Sequence, residues 1–261
     1  MVAALELDKI NVKRSFAKAS DTYDGLAELQ RNIGLKLLKQ HKITELSGVI
    51  LDLGCGTGFL TRELQQYTGD KTIIAMDNAM PMLEAAKRKC NVGFSCADIE
   101  NLPILDNSID WIFSNLALQW CADLPEVFEN FKRVLKPDGH LIFSTFGPQT
   151  LYELKQAWVK IDNYSHVNDF YSVQQLHDFM QQAGLQNIQI ENYQYKSQYS
   201  NVMLLMKELK GIGAHNVTAN RNRGFSTSAH LQNMTSAYEV FRENGYLPAT
   251  FDVINIAGRN G

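Results

Sequence analysis

Residues 49–58 read VILDLGCGTG, an apolar run that closes on three glycines at alternate positions. Val49–Leu53 has the β-branched and aliphatic character of a buried strand. Gly54, Gly56 and Gly58 let the backbone turn sharply and let a ligand approach without interference from Cβ atoms. Phe59–Tyr67 then takes up a helical period, so the first N–H groups of that helix face the turn. In an open α/β sheet this place, outside the carboxyl end of a strand, is where ligands bind. A nicotinamide or flavin nucleotide fingerprint spells GxGxxG. Here position 59 is Phe and the third glycine comes one residue early, which disfavours an oxidoreductase.

Outward from the loop, strands and helices alternate. Thr72–Met76 reads as a strand, Met80–Lys89 as a helix, Val92–Cys96 and Ile109–Ser114 as the third and fourth strands. Asp123 and Glu126 cap a helix whose apolar face is Leu124, Val127, Phe128, Phe131, Val134 and Leu135, stopped by Lys-Pro-Asp-Gly. Leu141–Phe146 is the fifth strand. Such alternation predicts a mostly parallel sheet covered by helices on both faces. Residues 9–42 read as two helices ahead of it. Beyond residue 147, Gln149–Ile161 and Ser172–Ala183 read as helices, the second opened by Ser172 and Gln175 and closed by Gly184. Strands near Ile188–Tyr199 and Thr250–Ala257 complete a seven-stranded sheet. Between them lies a helical insertion of about 200–247, too long for a hairpin loop and placed to act as a lid. The expected organisation is one domain: a helical cap at 1–45, a cofactor-binding core at 46–147 and a substrate-side half at 148–261.

Polar residues stand at successive strand ends. Asp77 closes the second strand, about 20 residues beyond the loop, where a carboxylate can accept both ribose hydroxyls of a nucleoside. Asp98 follows the third strand, within reach of an adenine amine, and Asn115 follows the fourth. Cys55 reads as a small residue between glycines, and Trp111 as a core aromatic.

Bulk composition excludes several classes. A net charge of −3 gives no global attraction to nucleic acid. The four cysteines, Cys55, Cys90, Cys96 and Cys121, show no CxxC pair, which suits reduced thiols of a cytoplasmic protein. The N-terminus lacks a signal-peptide pattern and no apolar run is long enough to span a bilayer. The expectation is a soluble enzyme with no metal, no nucleic acid and no membrane partner.

Leu51–Gly58 with Asp52 two positions before its first glycine, Asp77, Asp98 and VLKPDGHLIFSTF (Val134–Phe146) resemble the class I, Rossmann-like, S-adenosylmethionine-dependent methyltransferases. RSFAKASDTYD (Arg14–Asp24), SNLALQWCADL (Ser114–Leu124), TFGPQTLYELKQAW (Thr145–Trp158) and LMKELKGIGAHN (Leu205–Asn216) resemble, more narrowly, the malonyl-[acyl-carrier protein] O-methyltransferases of biotin synthesis. The likeness runs from about Arg14 to Gly224. It departs at Gly224-Phe225-Ser226-Thr227, where that family usually has a Gly-Leu-Thr-Gly run. The resemblance implies cofactor contacts from Tyr23, Asp52, Gly54, Cys55, Gly56, Gly58, Asp77, Asn78, Met82, Asp98, Ile99, Asn115 and Leu116. It implies alignment by Tyr23, Asn115, Gln119 and Trp120. The donor would be S-adenosylmethionine, with S-adenosylhomocysteine as product, and the acceptor malonyl-phosphopantetheine on acyl carrier protein, or malonyl-CoA.

A carboxylate acceptor is already ionised at neutral pH, so such a reaction needs no general base; His166 and His215 read as packing or surface residues. It needs cations instead. Lys196–Gly224 carries Lys196, Lys207, Lys210, Arg221 and Arg223 against Glu208, a local net of +4, whereas residues 46–146 carry eight basic and thirteen acidic residues. Lys207, Lys210, Arg221 and Arg223 are therefore the expected substrate contacts, and Arg14, Lys18 and Tyr23 form a second surface. A methyltransferase for another carboxylate or a quinone-type carbon is the nearest rival, and a catalytically silent cofactor-binding module the next.

Overall fold

The computed structural model describes residues 8–41, 48–68, 72–214 and 228–261. Five strands, β1 (Val49–Leu53), β2 (Thr72–Asp77), β3 (Gly93–Cys96), β4 (Ile109–Asn115) and β5 (Leu135–Phe146), run parallel in the order β3-β2-β1-β4-β5. β7 (Leu247–Asn260) joins β5 antiparallel, and β6 (Leu185–Tyr199) pairs antiparallel with β7 at the sheet edge. The order reverses between β1 and β4. Chain connections leave in opposite directions there, which opens a crevice at the carboxyl ends of the two strands. The glycine loop sits at that crevice.

Both faces of the sheet are covered. α6 (Leu124–Val134) and α8 (Val173–Gln182) bury Val127, Phe128, Phe131, Leu176 and Met180 against one face. α3 (Glu28–Gln40) and α4 (Phe59–Thr68) bury Leu37, Leu38, Leu60 and Leu64 against Ile50, Phe113 and Ile142 on the other. Asp123 caps α6 by accepting from Glu126 N at 3.2 Å. Ser172 and Gln175 form the reciprocal box at the start of α8.

The N-terminal segment forms three helices rather than two: α1 (Lys9–Ala19), the single turn α2 (Tyr23–Leu26) and α3. The break at Ala27 redirects the chain, and its N–H returns to the Tyr23 carbonyl at 2.8 Å. α1 lies over α5 (Met80–Lys87), with Ala19 packed on Ala79 and Met82. β5 begins at Leu135, earlier than the expected Leu141. Lys136–Gly139 forms a kink within the strand, with Asp138 left-handed (φ +66°), and the register with β4 shifts there.

β6 and β7 also run beyond their apolar centres, paired from Leu185↔Asn260 to Tyr199↔Leu247. Their outer ends make a wall with α7 (Tyr152–Val159), α9 (Val202–Gly211) and α10 (Ser228–Tyr238). Two buried carboxylates set that wall. Asp252 accepts from Gln149 N at 3.1 Å and Asn192 Nδ2 at 2.7 Å, while Glu153 takes Thr250 N at 3.0 Å. Among the described residues, no helix is long and apolar enough to cross a membrane.

Candidate active site

The glycine loop is tied to the strand beside it. Gly54 and Cys55 both donate their N–H groups to the Met76 carbonyl, at 2.8 and 3.0 Å. All three glycines have positive φ, but they serve different ends. A Cβ on Gly54 would lie 2.3 Å from the Ala117 Cβ, and one on Gly58 2.8 Å from the Ala86 Cβ. Both positions are needed for close packing of the loop on its neighbours. Gly56 is different: a Cβ there would meet no protein atom within 4 Å, because it faces open space in the crevice.

Asp77, at the end of β2, accepts from Gly56 N at 3.0 Å and Ala79 N at 2.8 Å. These bonds hold the carboxylate in the crevice wall and leave lone pairs for a ligand. Burial raises its pKa, and the backbone N–H groups oppose that rise. Asp52 lies deeper, bonded by the Thr61 hydroxyl at 2.6 Å. Burial pushes its carboxyl up to about 6, with the Thr61 bond lowering it and the Asp77 charge raising it. Tyr23 is held well above the ordinary tyrosine range, first by burial and then by the charges of Asp77 and Asp24.

Two cavities flank this loop and a third adjoins them. A cleft of about 90 Å³ is lined by Asp77, Asn78, Met82, Asp98, Ile99 and Asn115, with Lys9 and Val12 of α1 above it. Lys9 pairs with Asp98 at 2.9 Å and also with Glu100, so α1 is latched across the cleft. A second cavity, of about 50 Å³, lies on the other side of the loop beside Asp52, Cys55 and Thr57. The third and largest, about 560 Å³, opens between α7, α9 and the end of β5. Its walls are largely apolar, among them Phe146, Leu154, Phe170, Met206 and Phe251, and Gln119, Lys207 and Lys210 also line it. Tyr23 lines all three cavities, and Leu116 and Trp120 line both the cleft and the large cavity.

Most of the expected site residues therefore converge. Gly58 does not line these cavities; it packs on α5. Among the described residues, Lys207 and Lys210 make no ion pair. Glu208 between them is bonded by the Tyr199 hydroxyl at 3.0 Å, and burial raises its pKa. Arg221, Arg223 and His215 lie outside the described residues. His166 lines the large cavity, stacked on Trp158 at 3.7 Å with its Nε2 on Asp162 at 2.8 Å. The sequence reading missed Gln30, Thr150 and Asn168, which also line that cavity. Thr150 falls within the distinctive TFGPQTLYEL stretch, a signal that could have singled it out. Gln30 sits at helical spacing among core residues and carries no such mark.

A methyltransferase domain family matches residues 51–143, from the middle of β1 through most of β5. A malonyl-[acyl-carrier protein] O-methyltransferase of Methylovorus sp. (strain MP688) is 39% identical over 259 residues, covering 95% of this chain and 88% of that protein. The chain belongs to that family. The biotin biosynthesis bifunctional protein BioHC of Cellvibrio japonicus (strain Ueda107) is 40% identical over 252 residues, 96% of this chain. The chain spans 50% of that bifunctional protein's length. Among solved structures, the YcgJ protein of Bacillus subtilis superposes with a TM-score of 0.61 at 20% identity, over 85% of this chain and 97% of that one. Phosphoethanolamine N-methyltransferase 2 of Haemonchus contortus, solved with S-adenosyl-L-methionine, gives 0.55 at 18% identity, over 87% of this chain and 52% of that one. These two likenesses establish the Rossmann-like fold. The protein is an S-adenosylmethionine-dependent O-methyltransferase.

The site suits that donor. The open space at Gly56 admits a ligand against the backbone, and Asp77 offers a fixed acceptor for a diol. Among the described residues there is no cluster able to hold a metal ion.

Proposed function

We propose that this enzyme methylates the free carboxylate of a malonyl thioester carried on acyl carrier protein, giving the ester that primes biotin synthesis. The observation that carries this reading is the large apolar cavity with Lys207 and Lys210 in its wall, joined to the glycine-loop cleft at Tyr23, Leu116 and Trp120. When bound, S-adenosylmethionine supplies an electrophilic methyl on a sulfonium. Tyr23, Asn115, Gln119 and Trp120 align acceptor and methyl, the step on which an in-line displacement chiefly depends. The acceptor's charge and the sulfonium's charge cancel as the ester forms, so an apolar, water-poor chamber speeds the reaction by leaving the carboxylate poorly solvated. Lys207 and Lys210 guide and hold the anion without a base taking part.

In the same reading, Asp77 takes the ribose hydroxyls, Asp98 the adenine amine, and Gly54, Gly56, Asn78, Met82, Ile99 and Leu116 complete the nucleoside contacts. Asp52 and Cys55 support the loop from beneath. Residues 46–147 are then the cofactor half and 148–261 the substrate half, with α9 and α10 as the lid. The likeness to the named O-methyltransferases supports the choice of acceptor.

Labelled S-adenosylmethionine, offered with malonyl, acetyl and succinyl thioesters on carrier protein and on coenzyme A, tests this directly. Label should enter the malonyl ester first and leave the acetyl thioester unlabelled. Labelling of acetyl, which has no free carboxylate, would overturn the reading.

A further inference from the structure

The small cavity on the far side of the glycine loop has contents that the nucleoside contacts do not use. Its walls include Gln30, Arg31 and Asp52. The Gln30 Oε1 atom is buried and has no hydrogen-bond partner. The residue is nevertheless anchored, because its backbone carbonyl accepts from Asn115 Nδ2 at 3.0 Å. Buried polar atoms are almost always satisfied, so an orphaned acceptor on a cavity wall points to a donor supplied by a ligand. Arg31 is anchored in turn by donating from Nη1 to the Asp24 carbonyl at 2.5 Å. The cavity thus presents a cation beside two acceptors, Gln30 and Asp52, a set complementary to a group bearing both an ammonium and a carboxylate. Of the donor's parts, only its methionyl end has that pair of charges.

We propose that Gln30 is a positioning residue whose side-chain carbonyl accepts a hydrogen bond from the α-ammonium of the methionyl end of S-adenosylmethionine. Arg31 faces the carboxylate of the same end. Gln30 also lines the large cavity, so the residue that fixes the tail stands where donor and acceptor spaces meet. A fixed tail fixes the direction in which the methyl group points, and alignment of this kind controls the rate of in-line transfer.

The inference rests on the identity of the donor and not on that of the acyl acceptor. Its test therefore uses no acyl substrate. Calorimetric titration compares S-adenosylhomocysteine with 5′-methylthioadenosine, which lacks the amino-acid end. Gln30→Leu should weaken the first by at least about tenfold, the scale of a lost hydrogen bond to a charged group. The second should be unaffected. Gln30→Glu keeps an acceptor and adds a charge opposite to the ammonium, so it should restore binding of S-adenosylhomocysteine. Equal losses for both nucleosides, or none for either, would overturn the proposal. So would a glutamate variant as weak as the leucine one, because that pattern marks donation from the amide nitrogen. Thermal melting checks that each variant is folded, and Gln30→Met, closer in shape, replaces leucine if that variant melts early. Loss of this inference would leave the acyl reading standing, and the reverse holds equally.

Discussion

The glycine-loop cleft and the large cavity lie side by side, yet they are made in opposite ways. The cleft is a backbone construction: N–H groups on the Met76 carbonyl, positive φ at three glycines, and a carboxylate held by two more N–H groups. Its parts come from consecutive strand ends. The cavity is a side-chain construction, drawn from the N-terminal helices, the end of β5, α7, α9 and β7. A shared donor demands one geometry, which backbone can fix. An acceptor that varies between enzymes is met by side chains and connections that can vary with it.

On this division, a small side chain added to the backbone site should do more harm than one charge removed from the cavity. Gly56→Val is the severest case. Its side chain would fill the space a ligand needs, so titration with S-adenosylhomocysteine should show no binding. The left-handed backbone adds strain of about 1–3 kcal/mol. Gly54→Ala, by contrast, drives a Cβ to 2.3 Å from Ala117, so its main signature should be a lower melting temperature. Normal cofactor binding by the valine variant would make the loop merely structural and erase the distinction.

Asp77→Asn comes next. It keeps shape but loses charge-assisted bonds, and affinity for the cofactor product should fall by at least about tenfold. The other side of the comparison is sharpened by Lys207→Ala and Lys210→Ala. Each should raise KM for malonyl-carrier protein several-fold and leave cofactor affinity unchanged. A lysine that only steers the carrier should lose its effect as salt rises, because screening acts over about 8–10 Å near physiological ionic strength. One that grips the carboxylate should keep its effect in salt and also lower kcat. Changed cofactor affinity in either variant would show that the two regions are not separable.

The smallest effect concerns Asp52. Its folded pKa of about 6 lies above the ordinary value of 3.8, so the folded state holds its proton more firmly than the unfolded chain does. The associated stability is full below the unfolded value and is lost as pH rises through about 6. Asp52→Asn should abolish that contribution, flattening the fall in melting temperature between about pH 4 and pH 6.5. An unchanged profile would mean that Asp52 is not the group responsible.

The same division explains what could be read from the sequence. Strand alternation, the loop and Asp77 were legible because their signals are local: an apolar run, glycine spacing, an acid at a strand end. Lys207 and Lys210 were legible as an excess of charge. The rest of the cavity's walls was not, because residues such as Gln30 and Phe251 come to line one space only after the sheet has formed. The two strands of the β6–β7 ladder were read shorter than they are, for a related reason. Its outer residues alternate polar with half-buried, and their partner lies across the whole helical insertion. Asp252 and Glu153, acids that look like surface residues, are buried to hold loop and helix together.

The latch of α1 bears on turnover. Lys9 spans from the N-terminal helix to Asp98 and Glu100, and the pair with Asp98 is more than a third exposed on both sides. Elsewhere α1 rests on Ala19 against Ala79 and Met82 and on the Phe16 ring, edge-on to Trp120 at 5.3 Å. Among the described residues, the helix contributes no hydrogen bond to β1 through β5, so it can open as a unit of its own without disturbing the sheet. On the proposed placement of the nucleoside in the cleft, α1 covers it, and product release is expected to require that these ion pairs part. Inorganic salt, which loosens exposed ion pairs, is then expected to act as a lubricant of product exchange, seen as faster release of S-adenosylhomocysteine.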